Sequence, residues 1–316
     1  MSAIRRVAAN GALMTRATGL AERASEVVRV ATERLKAGTE GFQQTMSVGV
    51  LGSCARGDLS VWSDVDYYVV LDTSRVGSDH LLANMERNVR DVAAHVQATL
   101  KQNLFARRLS VFWSPLASLR TGDYSVGRWP AYDRQALIEH GQHIAGFRLT
   151  MGELPAVSRD ALITDAIALL LDVIRPRIGA AQLLERPWSL PAVAYGREEI
   201  LVAKAILMPL RLLYMLEPRS LGRPIVSTDE AGRVCRRKYR KTRWWSLAES
   251  LLEWRSTGRP PRDDEPCQLR LVQLYEHTVE AYVSLADDLR MLAGAKELRG
   301  WLRQLTRLRA LGSSAR

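Results

Sequence analysis

Two aspartates that could bind a metal ion lie two positions apart in the stretch SDVDYYVVLD, which runs from Ser63 to Asp72. Asp64 and Asp66 open an apolar run that predicts a buried strand, and on a strand residues i and i+2 point to the same face. Two neighbouring carboxylates repel each other, and an unpaired buried charge is costly, so we expect a cation beside them. Mg²⁺, which binds through one or two protein carboxylates together with phosphate oxygens and water, suits this pair.

A turn of small residues precedes the aspartates, in the stretch VGVLGSCARG that ends at Gly57. Gly52 lets backbone N–H groups approach an anion, and the Ser53 hydroxyl can donate to a phosphate oxygen. Together with the two acids, the turn predicts a site for a nucleoside triphosphate and its metal ion. Arg56 lies in the same turn, where it could steady the loop or contact phosphate, or be an ordinary solvated arginine.

The elements around these residues predict an α/β domain with a small mixed sheet. Apolar periodicity predicts helices over 20–37 and 79–103, and β-branched and aromatic runs predict strands over 45–51, 65–72 and 108–114. The order α-β-β-α-β is typical of strands covered by helices.

The second half of the chain predicts a helical domain. Its apolar residues recur at helical spacing, which predicts helices near 160–185, 196–216, 228–256, 265–293 and 295–311. Gly and Pro cluster at 150–158, which favours a boundary there. The predicted fold class is therefore α+β, with an α/β domain and its N-terminal helix over 1–155 and a helical bundle over 156–316.

The residues quoted above resemble the signature of the polymerase-β-like nucleotidyltransferase superfamily, most of all its minimal and aminoglycoside nucleotidyltransferase branches. The matching elements are Gly52-Ser53, Arg56-Gly57, Ser63-Asp64-Val65-Asp66 and the apolar Tyr67–Leu71. The resemblance implies that Gly52 and Ser53 contact the triphosphate and that Asp64 and Asp66 ligate two Mg²⁺ ions. It also implies transfer of a nucleoside monophosphate, AMP from ATP, to a hydroxyl of an acceptor held by the helical domain.

The chain departs from the family pattern at the third acid, which the family places on the following strand. Ser110 stands there, and no residue from Leu109 to Pro115 is acidic. Asp123, Asp133 or Glu139 could supply the missing carboxylate, or each could be an ordinary surface acid. The alternative function is a degenerate member that binds a nucleotide without transferring it and acts as a regulator or an antitoxin-like partner.

The helical half offers two further candidate sites. Lys204 lies in an apolar helix, where it could reach a triphosphate or extend to solvent. The run Arg233–Arg243 carries seven basic residues, and RNA could bind a surface formed by Arg236, Arg237, Arg240 and Lys241. Large apolar residues that follow this run recur at helical spacing, which predicts a buried stripe formed by Trp244, Leu247, Leu251 and Trp254.

The charge, cysteine content and hydropathy of the chain indicate which partners and which compartment to expect. The 316 residues carry 45 Lys and Arg against 34 Asp and Glu, a net charge of +11, which favours polyanionic partners unless it reflects a general use of arginine. Three cysteines without metal-type spacing predict free thiols in a reducing cytoplasm. No apolar run approaches the roughly 20 residues of a membrane span, and no signal-peptide pattern opens the chain, so we expect a cytoplasmic protein without a membrane partner.

Overall fold

In the computed structural model the chain forms two compact units, Met1–Ala156 and Val157–Arg316. The structure describes residues 3–39, 41–74, 78–122, 129–178, 197–220, 223–257 and 265–314. The fold is mixed α and β with a small mixed sheet, which confirms the predicted class at this level. Within the described ranges, no helix is both long enough and apolar enough to cross a bilayer.

The first unit carries the strands of the described chain. Its elements in chain order are α1 (Ala3–Gly38), α2 (Phe42–Thr45), β1 (Met46–Val50), α3 (Gly52–Arg56), β2 (Val65–Leu71), α4 (Ser78–Thr99), β3 (Leu109–Pro115), α5 (Leu116–Thr121), α6 (Ala131–His140) and β4 (Gln142–Gly146). The three predicted strands are β1, β2 and β3, with small differences at their ends. The predicted helix over 20–37 is the second half of α1.

The strands form one sheet in the order β3-β2-β1-β4. β2 and β3 are parallel, and α4 makes the crossover that a parallel pair requires. β1 is antiparallel to both β2 and β4. The sequence did not predict β4, because its residues lie on an exposed edge and show no run of β-branched or apolar types.

Different apolar clusters cover the two faces of the sheet, and this decides where the acid on β2 points. Val65, Tyr67 and Val69 belong to the cluster formed with α1 and α4. Tyr68 and Val70 belong to the cluster on the other face, which contains side chains of α5 and α6. Since alternate residues of a strand point to opposite faces, Asp66 points to the same side as Tyr68.

The described elements of the second unit are helical. In chain order they are α7 (Arg159–Ala168), a π-helical segment (Leu169–Ile174), α8 (Arg175–Arg177), α9 (Arg197–Met215), α10 (Thr228–Lys238), α11 (Trp245–Thr257), α12 (Glu265–Asp288) and α13 (Leu292–Ser314). The first three follow one another directly and correspond to the predicted helix near 160–185, whose last residues lie outside the described ranges.

The prediction of one helix over 228–256 was wrong, because a turn separates α10 from α11. Tyr239 ends α10, and its hydroxyl donates to Glu217 at 3.2 Å. Its ring packs against Trp244 at a centroid distance of 5.2 Å, and the Thr242 hydroxyl donates to its carbonyl at 2.7 Å. These contacts anchor the turn to the rest of the unit, whereas a continuous helix would carry Trp244 away from Tyr239.

A proline inside α9 is accommodated by a tyrosine of the neighbouring helix α12. Pro209 has no N–H, so the carbonyl of Ala205, four residues earlier, loses its helical donor. The hydroxyl of Tyr275, which is fully buried, donates to that carbonyl instead. α9 therefore continues through Pro209 while its backbone acceptor stays satisfied.

We expect Tyr275→Phe to lower the free energy of unfolding by about 1–3 kcal/mol, because it leaves a buried carbonyl without a donor. Tyr214→Phe is the matched control, since its hydroxyl donates at 3.2 Å to the carbonyl of the exposed Arg223, in a hydrogen bond that is only part-buried. Urea denaturation of both variants measures the difference. Equal losses would show that the Ala205 carbonyl does not depend on Tyr275.

Candidate functional site

The turn between β1 and β2 brings the backbone of Gly52 against the carboxylate of Asp66. The Leu51 N–H donates to the Asp66 carbonyl at 2.8 Å, and Gly52 then adopts a left-handed φ of +59°. A Cβ atom placed on Gly52 would lie 2.5 Å from Asp66 Oδ2. Only a residue without a side chain allows this approach, so the predicted phosphate turn and one predicted metal ligand are direct neighbours.

The two aspartates lie at the beginning of β2. Asp66 is its second residue and is half-buried, whereas Asp64 comes just before the strand and is 9% exposed. The charge of Asp66 also reaches the turn: burial first, and then this negative charge, raise the pKa of Cys54 to about 11. The Cys54 thiol is therefore protonated at neutral pH and is a poor nucleophile.

Ser110 occupies the strand position beside Asp66. In the parallel ladder, Asp66 is paired with Ser110, and both point to the side of the sheet where Tyr68 and Phe112 pack. An acid at position 110 would lie next to the Asp66 carboxylate. The structure thus places the serine where the resemblance expects the third carboxylate.

Of the other acids considered for this role, the two that the structure describes do not complete a cluster of three. Among the described residues, no group of three or more His, Cys, Asp or Glu side chains could share a metal ion. Asp133 and Glu139 both lie on α6; Glu139 accepts from Gln135 Nε2 at 2.6 Å and is 3.4 Å from His140 Nε2. Asp123 lies outside the described residues.

Arg56 is held inside the turn and keeps donors available. Its side chain is 11% exposed, and one guanidinium nitrogen lies 3.4 Å from Asp58 Oδ1. The Nε and Nη1 atoms are buried and hydrogen-bond to none of the described residues. The alternative of a solvated arginine was wrong, because most of the side chain is buried in the turn. The ion pair with Asp58 can steady the loop, and two nitrogens remain able to donate to an oxyanion.

Sequence reasoning missed Arg108, which supports the segment that leads to Asp64. Arg108 is 1% exposed, and its guanidinium donates to the Val61 carbonyl at 2.6 Å. The Ser63 hydroxyl accepts from the Ser60 N–H at 3.0 Å and closes the same short loop. The only sequence signal was a pair of arginines before β3, and the pair does not reveal that Arg107 is exposed while Arg108 is buried.

The candidate residues of the helical unit lie on α9, on α10 and in the turn after it. Lys204 is half-buried on α9. Arg236 pairs with Glu249 at 2.9 Å, whereas Arg237, Arg240 and Lys241 are exposed. The predicted core stripe is confirmed, since each of its members is buried: Trp244, Leu247, Leu251 and Trp254.

Comparison of the chain with models of known families finds no match, and comparison with curated proteins finds none either. The resemblance to nucleotidyltransferases therefore rests on the residues of the turn and the aspartates, and it stays a prediction.

Proposed function

We propose that the chain is a magnesium-dependent nucleotidyltransferase that moves a nucleoside monophosphate, AMP from ATP, to a hydroxyl of an acceptor. The observation that carries this proposal is the approach of the Gly52 backbone to the Asp66 carboxylate. A turn that can hold phosphate then lies beside an acid that can hold the metal ion of the same nucleotide.

The donors of this site fit magnesium. Asp64 and Asp66 offer carboxylate oxygens, which Mg²⁺ prefers, and glycine at position 52 leaves open the space that a Cβ atom would fill beside Asp66. When bound, magnesium would neutralise charge on the polyphosphate and favour departure of pyrophosphate.

The residues of the chain would orient the nucleotide. The Gly52 N–H and the Ser53 hydroxyl would donate to the terminal phosphates, and the buried nitrogens of Arg56 could add a charge-assisted hydrogen bond. Arg108 would keep the loop before Asp64 in place. Positioning and electrostatic stabilisation of this kind account for most of the rate in phosphoryl-transfer enzymes.

Position 110 offers no carboxylate that could act as a base and take the proton of the acceptor hydroxyl. As the acceptor oxygen attacks the α-phosphorus, the bond from that phosphorus to the bridging oxygen breaks and pyrophosphate leaves. With Ser110 beside Asp66, the released proton would pass to water instead of to a carboxylate at this position. General-base assistance is worth about 10²–10⁴ in rate, so the transfer would be slow but measurable.

Three classes of acceptor suit the proposal: an RNA end, an anionic small molecule or a protein hydroxyl. The exposed Arg237, Arg240 and Lys241, with Arg236 beside them, favour RNA, because cations on one surface can follow a phosphate backbone. A cationic acceptor suits this basic half of the chain less well.

The alternative is a nucleotide-binding regulator or antitoxin-like partner that has lost transfer. The serine at position 110 favours this reading, because the ladder sets it directly against Asp66. Such a protein would keep the turn and the aspartates and would still bind ATP. It would regulate its partner according to whether ATP is bound.

Incubation of the purified chain with Mg²⁺ and ATP labelled at the α-phosphate, with and without total RNA, tests both readings. We expect label on an acceptor, and we expect Asp64→Asn to abolish it. Asp91→Asn is the matched control, because Asp91 is exposed on α4 away from the ladder. ATP binding without transfer would favour the regulator, and absence of both binding and transfer would contradict the proposal.

A further inference from the structure

A cleft of about 720 Å³ opens in the helical unit. Its lining comes from the turn after α10, from one face of α12 and from α13. Sites for small molecules have volumes of roughly 300–1,000 Å³, so the cleft is large enough for a ligand with a ring and a charged group.

One wall of the cleft is the half-buried ring of His277, which two neighbouring aromatic rings hold in place. The rings of Trp244 and His277 lie 5.7 Å apart, and Tyr239 packs against both at 5.2 and 5.1 Å. The hydroxyl of Tyr239 is held by Glu217, which is itself buried. Trp244 is only 3% exposed, so its ring supports His277 and leaves little surface for a ligand. Burial lowers the pKa of His277, so at neutral pH the ring of His277 is an uncharged surface on which a planar ring can stack.

Some polar groups of the cleft have hydrogen-bond partners among the described residues, and others do not. Glu276 accepts from the Thr306 hydroxyl at 2.9 Å and lies 3.3 Å from Arg309, so its charge is compensated. Gln273 Oε1 is buried and hydrogen-bonds to none of the described residues, so it can accept from an N–H group of a ligand.

Two charged side chains of the lining remain exposed, Arg243 and Glu280. Neither forms an ion pair with another described residue. Arg243 belongs to the basic run and can donate two parallel hydrogen bonds to a phosphate. Glu280 can accept from an exocyclic amine or a ring N–H.

We infer that this cleft binds a nucleotide, with its base against His277 and its phosphate at Arg243. A base supplies both the planar ring and the N–H donors that Gln273 and Glu280 can accept, and the phosphate supplies the anion. An inorganic anion would leave the ring of His277 and Gln273 unused. The nucleotide is either a free nucleoside monophosphate or the terminal nucleotide of an RNA strand, because both present the same base and phosphate.

This inference does not depend on the proposed transfer, since the lining residues all belong to the second unit. Calorimetric titration of the full chain with AMP, GMP, CMP and UMP tests it, in EDTA so that magnesium does not support binding at the aspartates. A parallel titration uses a short single-stranded RNA with a 3′-hydroxyl. Binding of a monophosphate identifies the free nucleotide as the source, and binding of the RNA alone identifies the strand end.

We expect Arg243→Ala and Gln273→Leu each to weaken this binding about tenfold, because each removes one polar contact to a charged or donor-rich ligand. Arg303→Ala is the matched control, since Arg303 is exposed on α13 but does not line the cleft. Asp64→Asn should leave the affinity unchanged. The inference is overturned if no probe binds, if Arg243→Ala and Arg303→Ala weaken binding equally, or if Asp64→Asn removes it.

Discussion

Ser110→Asp is expected to raise the rate of magnesium-dependent transfer by about 10²-fold or more, the range that a well-placed general base supplies. The ladder pairs position 110 with Asp66, and the two side chains share one face of the sheet. The aspartate would add a metal ligand and could take the proton of the acceptor hydroxyl. Steady-state incorporation of label from ATP labelled at the α-phosphate measures the change.

Ser110→Asn is the control for Ser110→Asp, because it has nearly the same size and no charge. It should not raise the rate. Without magnesium, the added carboxylate repels Asp66, so Ser110→Asp should melt at a lower temperature than the native chain and gain more stability when Mg²⁺ is added. If magnesium shifts the melting temperatures of both proteins equally, position 110 does not face the metal site.

Gly52→Ala is expected to weaken magnesium-dependent binding of ATP by about 10²-fold, since a misplacement of about 1 Å in a site can have an effect of this size. The new Cβ atom would lie 2.5 Å from Asp66 Oδ2, so the carboxylate has to turn away from the phosphate turn. The left-handed backbone at this position adds a stability loss of roughly 1–2 kcal/mol for any residue with a side chain.

Gly57→Ala separates these two effects. Gly57 also has a left-handed φ, +73°, but a Cβ atom there would meet nothing within 4 Å. We expect the two alanine variants to lose similar free energy of unfolding, while only Gly52→Ala loses affinity for ATP with magnesium. Equal affinities in titrations of both variants would show that the closeness of Gly52 to Asp66 is unimportant for the nucleotide.

The three strands around the aspartates and their order along the chain were predictable because their signals are local. The run after Asp66 is rich in β-branched and aromatic residues, and β2 covers Val65–Leu71 with almost every residue buried. Gly52 lies between two such runs, and a glycine at that place in the sequence indicates a turn. The resemblance drew attention to Ser110, and the ladder pairs this serine with Asp66 because β2 and β3 are parallel and begin together.

The parts that sequence reasoning missed depend on contacts between distant segments. β4 pairs with β1 through its backbone, so its exposed side chains carry no apolar pattern. The turn after α10 is stabilised by Tyr239 and Glu217, which lie 22 positions apart. Arg108 is buried because it reaches the Val61 carbonyl, 47 positions earlier. None of these contacts leaves a periodic signal in the residues around it.

Diffraction from crystals grown with Mn²⁺ and a non-hydrolysable ATP analogue tests the central claim most directly, because the anomalous signal of manganese locates the ion. We predict an anomalous peak at the carboxylates of Asp64 and Asp66, with the triphosphate over Gly52 and Ser53. A map without that peak, in which both carboxylates are engaged by arginine side chains and no nucleotide lies over the turn, would contradict the account.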